Sequence, residues 1–413
     1  MLGPGGLGMP SGMMPPQENW RPPEHSDGAV QVTHVDAALA KVSCAQLGYF
    51  EDRWTELLIR NTRPQPRSPM IHRGYYSRVA AIRSSVLRFL ELCPPGGGVQ
   101  IVNLGVGFDT TYFWLREDPV RWRDDIVYFE VDFPEVLSKK VSALLKRRSL
   151  WPLLGGDSQE ELISSEMSAA GTRVVRTQHC RHVPADMRIA PELADAMASA
   201  GFRGDVPTLF ISECVLVYMQ SLHGDGIIDW AANAVPDAPS AMVVYEQTNP
   251  NDPFGKVMVD NLTQRGCPLL SIFDYPSLAS QRERYLQRGW ERCNLANMNE
   301  VYEKHLDRAE VERIQRLELL DEFEEWHLIQ QHYFLLIATR APGAATPAAE
   351  DASGVDGAAN AAVGVESGGG TGAAVGPGGG IHDWVHGLAL SPAALVGGAI
   401  AGGPRATIEG DGH

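Results

Sequence analysis

The sequence lacks any C-x-x-C pair, although it holds six cysteines, Cys44, Cys93, Cys180, Cys214, Cys267 and Cys293. Neither a zinc ribbon nor a thioredoxin-type motif is therefore indicated. Scattered, mostly apolar-flanked thiols point instead to a reducing compartment. His179, Cys180 and His182 lie close together, but no third or fourth ligand accompanies them at metal-site spacing, so no metal is expected. There is no apolar run of 18 residues. The nearest stretch, 384–403, contains His386, Pro392 and several glycines, and no membrane-spanning helix is expected. The first residues, MLGPGGLGMPSGMMPP, carry neither a positive n-region nor the arginines of a transit peptide, which makes the cytoplasm the expected location. Positive charge is also in short supply: 35 Lys and Arg stand against 51 Asp and Glu, a net charge of −16. That sign opposes a nucleic-acid backbone and makes nucleic-acid binding unexpected. No internal repeat appears.

What is present divides into three parts. Residues 1–32 are rich in Gly, Pro and Met, and residues 342–413 are Gly/Ala-rich; both are expected to be disordered, with only Ile381–Leu390 apolar enough to dock. Between them, residues 33–341 read as one domain with a polar insertion near 149–172. Asp36 is placed to cap a helix running to Gly48, and an amphipathic helix follows Arg73-Gly74-Tyr75-Tyr76-Ser77-Arg78 as far as Cys93-Pro94-Pro95. Strands then alternate with helices, which is the signature of a doubly wound α/β sheet. Strands are expected at Gln100–Leu104, Ile126–Val131, Arg173–Gln178, Thr208–Ser212, Met242–Tyr245 and Tyr333–Thr339. Late helices are expected at about 253–265, 277–288 and 308–325.

The organising stretch is Val99–Asp109, VQIVNLGVGFD. A branched apolar strand runs into Gly105-Val106-Gly107, and a helix begins just beyond. Strand, glycine turn and helix start form a nucleotide-binding corner. Without a Cβ the glycines permit a tight turn and close approach of a ligand. The dinucleotide fingerprint, however, requires a third glycine where this chain has Thr110, and Asp109 would repel a pyrophosphate. A nicotinamide dinucleotide is disfavoured. A phosphate-free nucleoside cofactor fits, and S-adenosylmethionine is the candidate.

Ligands in open α/β sheets bind beyond the carboxyl ends of the strands. Each expected strand here ends in a polar or glycine site: Gly105 and Gly107, Asp132, Asp186, Glu213, then Glu246 and Gln247. Asp132 follows Gly105 by 27 positions, close to the roughly 20-residue offset of an acid that accepts from ribose hydroxyls. Asp186 and Met187 are placed to flank an adenine, and Glu213 to face an ammonium and a sulfonium. Lys41 and Arg73 are candidates for the cofactor carboxylate.

Several blocks together carry a family resemblance: Arg73-Gly74-Tyr75-Tyr76-Ser77-Arg78-Val79, Ile101–Thr111, Tyr128-Phe129-Glu130-Val131-Asp132-Phe133-Pro134, Glu213–Met219, and Tyr245-Glu246-Gln247 with Asp252-Pro253-Phe254-Gly255. Residues 35–340 resemble the leucine carboxyl methyltransferases. The resemblance implies a Rossmann-like S-adenosylmethionine-dependent methyltransferase fold with helical additions. It implies methylation of the C-terminal leucine carboxylate on the catalytic subunit of type 2A protein phosphatases. Carried over by motif, the cofactor contacts fall on Lys41, Arg73, Gly105, Asp132, Asp186, Met187 and Glu213, with Gly107 in the same turn. The wybutosine-modifying branch of tRNA methyltransferases is similar but carries an appended repeat domain, and the 342–413 segment shows no such repeats. A small-molecule methyltransferase and a non-catalytic phosphatase-binding protein are the other readings. For catalysis, Arg73 and Arg78 are expected to share the carboxylate work, with Tyr218, Tyr245 and Gln247 positioning the substrate. A monomer is expected.

Overall fold

The computed structural model describes residues 27–59, 67–163 and 171–343. Residues 1–26 and 344–413, Ile381–Leu390 among them, and part of the 149–172 insertion lie outside the described residues.

Helix α1 (Asp27–Gln46) comes first, followed by the single turn α2 (Thr55–Leu58) and the long helix α3 (Pro69–Leu92). Pro69 opens α3 where an N–H has no helical partner anyway, and Pro94 with Pro95 follow its end. The expected cap at Asp36 is corrected: α1 already begins at Asp27, and Asp36 sits inside it, paired with Arg265. The expected domain start at residue 33 thus falls within this helix. Helices α1 and α3 are tied by a buried relay. Ser43 Oγ meets His72 Nε2 at 2.8 Å, and His72 Nδ1 meets Glu318 Oε2 at 2.7 Å.

The sheet follows. Strand β1 (Val99–Leu104) leads to α4 (Thr111–Glu117), β2 (Ile126–Asp132) to α5 (Pro134–Leu145), and then come β3 (Cys180–Pro184), β4 (Thr208–Glu213), β5 (Ser240–Gln247), β6 (Arg292–Asn297) and β7 (Tyr333–Arg340). Their spatial order is β3-β2-β1-β4-β5-β7-β6. β7 runs antiparallel to both neighbours, while the pairs from β3 to β5 are parallel. β1 is buried at every position, as expected for a strand covered on both faces. The order reverses between β1 and β4, so a crevice opens at their carboxyl ends.

Three elements differ from expectation. The strand expected at Arg173–Gln178 lies at Cys180–Pro184; the earlier residues form only isolated bridges, Val175 to Ile163 and Arg176 to Arg181. The single helix expected over 308–325 is two, Arg308–Gln315 and Phe323–Gln331. β6 was not anticipated: RCNLAN is an edge strand with little continuous burial, so it carries no clear apolar pattern.

Candidate active site

The corner after β1 is built as its glycines require. Gly105 and Gly107 have φ of +68° and +50°. A Cβ on Gly105 would lie 2.5 Å from Val215 Cγ2, and one on Gly107 would lie 2.7 Å from His34 Cβ. The two positions therefore serve close approach by the turn after β4 and by α1. The Gly107 N–H donates to Asp132 Oδ2 at 2.7 Å, and the Phe133 N–H to Oδ1 at 2.7 Å. Burial pushes the Asp132 carboxyl up to about 6, against the pull of these amides.

Beside this corner lies a cavity lined by Gly105, Gly107, Asp132, Met187, Cys214 and Tyr218. Val30 and His34 of α1 form its roof. A buried carboxylate and an apolar Met187 wall together fit a phosphate-free adenosyl group.

A buried charge cluster stands at the β4 end. Lys41 Nζ lies 3.0 Å from Asp109 Oδ2 and 3.4 Å from Glu213 Oε1. Arg78 Nε donates to the same Glu213 oxygen. The Arg78 guanidinium also lies 5.0 Å from the centre of the Tyr245 ring and 5.4 Å from that of Tyr75. Burial by itself would lower both cations; Glu213, with Asp109 for Lys41, more than offsets it and raises them. For Asp109 burial pulls upward, but Lys41 and Lys140 hold the carboxyl well below its ordinary range. Lys41, Arg78 and Asp109 are thus held charged in a largely dry place, each with a partner.

The turn after β4 is held from below. Glu246, buried in β5, accepts from the backbone N–H groups of Val215, Leu216 and Val217 at 3.2, 2.6 and 3.1 Å. This grip accompanies an unusual backbone at Cys214, φ +56°. Burial pushes the Cys214 thiol up to about 12, so it lines the cavity as a neutral group and not as a nucleophile.

The structure brings Gly105, Gly107, Asp132, Met187 and Tyr218 around the cavity, and joins Lys41, Arg78, Glu213 and Tyr245 in the charge cluster at the β4 end. Gln247 ends β5 next to them; its Oε1 is buried without a hydrogen-bond partner among the described residues. Two residues stand apart. Arg73 is buried, but its guanidinium lies over Phe323 at 5.8 Å and lines neither the cavity nor the charge cluster. The two guanidinium groups thus keep different neighbours, Phe323 for Arg73 and Glu213 for Arg78. Asp186 does not line the cavity either: Arg188 holds its carboxylate at 2.6–3.1 Å. Sequence reasoning missed Tyr75, Tyr333, His34 and the structural role of Asp109. Tyr333 stacks on Tyr245, with ring centres 5.4 Å apart. The aromatic pair at Tyr75-Tyr76 beside Arg78 was the one local signal. Among the described residues no cluster of potential metal ligands occurs.

Comparison with known proteins agrees with this geometry. Residues 29–232 match the family described as Leucine carboxyl methyltransferase. The chain is 38% identical over 310 residues to the Leucine carboxyl methyltransferase 1 homolog of Arabidopsis thaliana, covering 75% of this chain and 89% of that protein. It is 36% identical over 320 residues to Leucine carboxyl methyltransferase 1 of Bos taurus, covering 77% and 92%. It is also 37% identical over 320 residues to a Homo sapiens protein named tRNA wybutosine-synthesizing protein 4, covering 77% of this chain but 45% of that one. The parallel sheet, the glycine corner and these matches lead to one conclusion: the chain belongs to the leucine carboxyl methyltransferase family of S-adenosylmethionine-dependent enzymes.

Proposed function

We propose that this enzyme esterifies the C-terminal leucine carboxylate of the type 2A protein phosphatase catalytic subunit, working as a monomer in the cytoplasm. The observation that carries the reading is Arg78, a largely buried cation beside Glu213, Tyr75 and Tyr245 at the edge of the cavity. Such a group steers an incoming carboxylate without needing to move a proton. When bound, S-adenosylmethionine supplies an electrophilic methyl group on a sulfonium. Gly105, Gly107 and Asp132 would hold its ribose side, Met187 its ring, and Lys41 with Glu213 its amino-acid end. A peptide α-carboxyl has a pKa near 3.5 and is already ionised at neutral pH, so no general base is required. The residues act by positioning and by excluding water. Tyr218 and Tyr245 sit in apolar surroundings and burial drives both phenols well above 10, which keeps them neutral donors.

The wybutosine relatives raise a second reading, a carboxyl group on tRNA; the net charge of −16 weighs against it. Methyl-labelled S-adenosylmethionine separates the two. Base-labile label on the phosphatase subunit, and none on a variant lacking its last leucine, is the expected result. Label on both forms removes the leucine assignment. Label only on tRNA moves the substrate to RNA.

A further inference from the structure

His34 hangs from α1 into the cavity roof. Its ring meets Phe108 edge-on, with centres 4.6 Å apart, and its Cβ packs against Gly107. Both ring nitrogens are shielded from water; the Gln31 carbonyl lies near the ring, but neither nitrogen meets full hydrogen-bond geometry with any partner among the described residues. Burial lowers the pKa of the imidazole; the nearby Gln31 carbonyl opposes this, and Lys139 and Lys140 add to it weakly. The residue lines the same cavity as Asp132, across the Gly107 backbone that donates to that carboxylate. A shielded, unsatisfied imidazole is costly in a folded protein unless a ligand completes it.

We infer that His34 is a cofactor-contacting residue, reaching from the roof helix to hydrogen-bond the ribose hydroxyls on the side away from Asp132. The two groups are complementary. A carboxylate only accepts, whereas a neutral imidazole also carries an N–H donor. A hydroxyl can therefore donate to Asp132 and accept from His34 at once. The helix that carries His34 is anchored for the purpose: Asp27 receives Arg188 in a two-pronged ion pair at 2.8 and 2.9 Å, and Asp27 and Arg188 both line the cavity. The contact rests on the cavity being the S-adenosylmethionine site.

The test is calorimetric binding of S-adenosylmethionine and S-adenosylhomocysteine to wild type, His34→Phe and His34→Gln, with thermal unfolding of each ligand-free protein. His34→Phe keeps the ring against Phe108 and removes only the nitrogens. It is expected to bind both ligands about tenfold more weakly, while His34→Gln recovers most of that loss. Nitrogen NMR of the His34 ring in the wild-type protein should shift on saturation with either ligand. Wild-type affinity in His34→Phe, or an unmoved ring signal at saturation, overturns the contact alone. A wild-type protein that binds neither ligand overturns the cofactor reading itself and the contact with it.

Discussion

Helix α3 carries Arg73, which is buried, and Arg78, which is slightly exposed, in two different neighbourhoods. Arg78 faces acids and tyrosine rings beside the cavity. Arg73, one turn and a half earlier, lies over the Phe323 ring, and its Nε has no hydrogen-bond partner among the described residues. Five residues at 100° each leave the two side chains about 140° apart around the helix. Closeness in sequence therefore put them in one motif without giving them one set of neighbours: Arg78 is paired with Glu213, whereas Arg73 packs on Phe323.

The largest expected effect comes from breaking the first neighbourhood. Arg78→Ala should lower turnover on the order of 10²–10³-fold, measured by labelled methyl transfer, with circular dichroism showing an intact fold. Arg73→Ala should leave turnover within about threefold and instead lower stability by about 1–3 kcal/mol, through lost packing and the lost cation–π contact. The reverse ranking would dissolve the distinction.

Glu246 sharpens the comparison from beneath the cluster. Glu246→Ala leaves three buried amides without their acceptor, and urea unfolding should show a loss of about 3 kcal/mol, with turnover reduced as the Cys214–Tyr218 turn relaxes. Glu246→Gln keeps an accepting oxygen and should restore most of the stability. An equally damaged glutamine variant would mean that charge, not amide gripping, is what matters there.

A smaller effect concerns pH. The Asp132 carboxyl, raised to about 6, is ionised above that pH and protonated below it. Ribose hydroxyls donate best to the ionised form, so cofactor affinity should be flat above about pH 7 and fall about tenfold by pH 5. Ligand-free stability should run the other way. The folded pKa exceeds the unfolded value, so this group's contribution declines as pH rises from about 4 to 6 and is constant above. An affinity that does not change down to pH 5 would remove Asp132 from the ribose.

The smallest effect belongs to the outer face of α1. Asp36 and Arg265 are each more than half exposed, and Asp36→Ala should cost less than about 1 kcal/mol in thermal unfolding. A larger loss would show that surface pairing, and not the Ser43–His72–Glu318 relay, seats the roof helix.

The β1 corner, the parallel strands and the acids at their ends were legible because each is a local pattern. A fully apolar strand, two glycines needing positive φ, and Asp132 or Glu213 closing a strand can be read within a few residues of one another. β6 escaped because an edge strand lacks a continuous apolar run. The break between Gln315 and Phe323 escaped because neither proline nor glycine marks it. The start of α1 was hidden by the Gly/Pro-rich residues before it, although Val30 and His34 are what close the cavity.

By itself, the sequence determined the sheet's alternation, the glycine turn without a third glycine, and the carboxylates at the strand ends. All of these follow from backbone preference and short-range spacing. Only the tertiary structure decided that Arg78 and not Arg73 pairs with Glu213, that Arg188 takes Asp186, that α1 is a roof, and that Glu246 grips the turn opposite. Those outcomes depend on helix rotation and on contacts between residues tens to hundreds of positions apart, where local propensity carries no information.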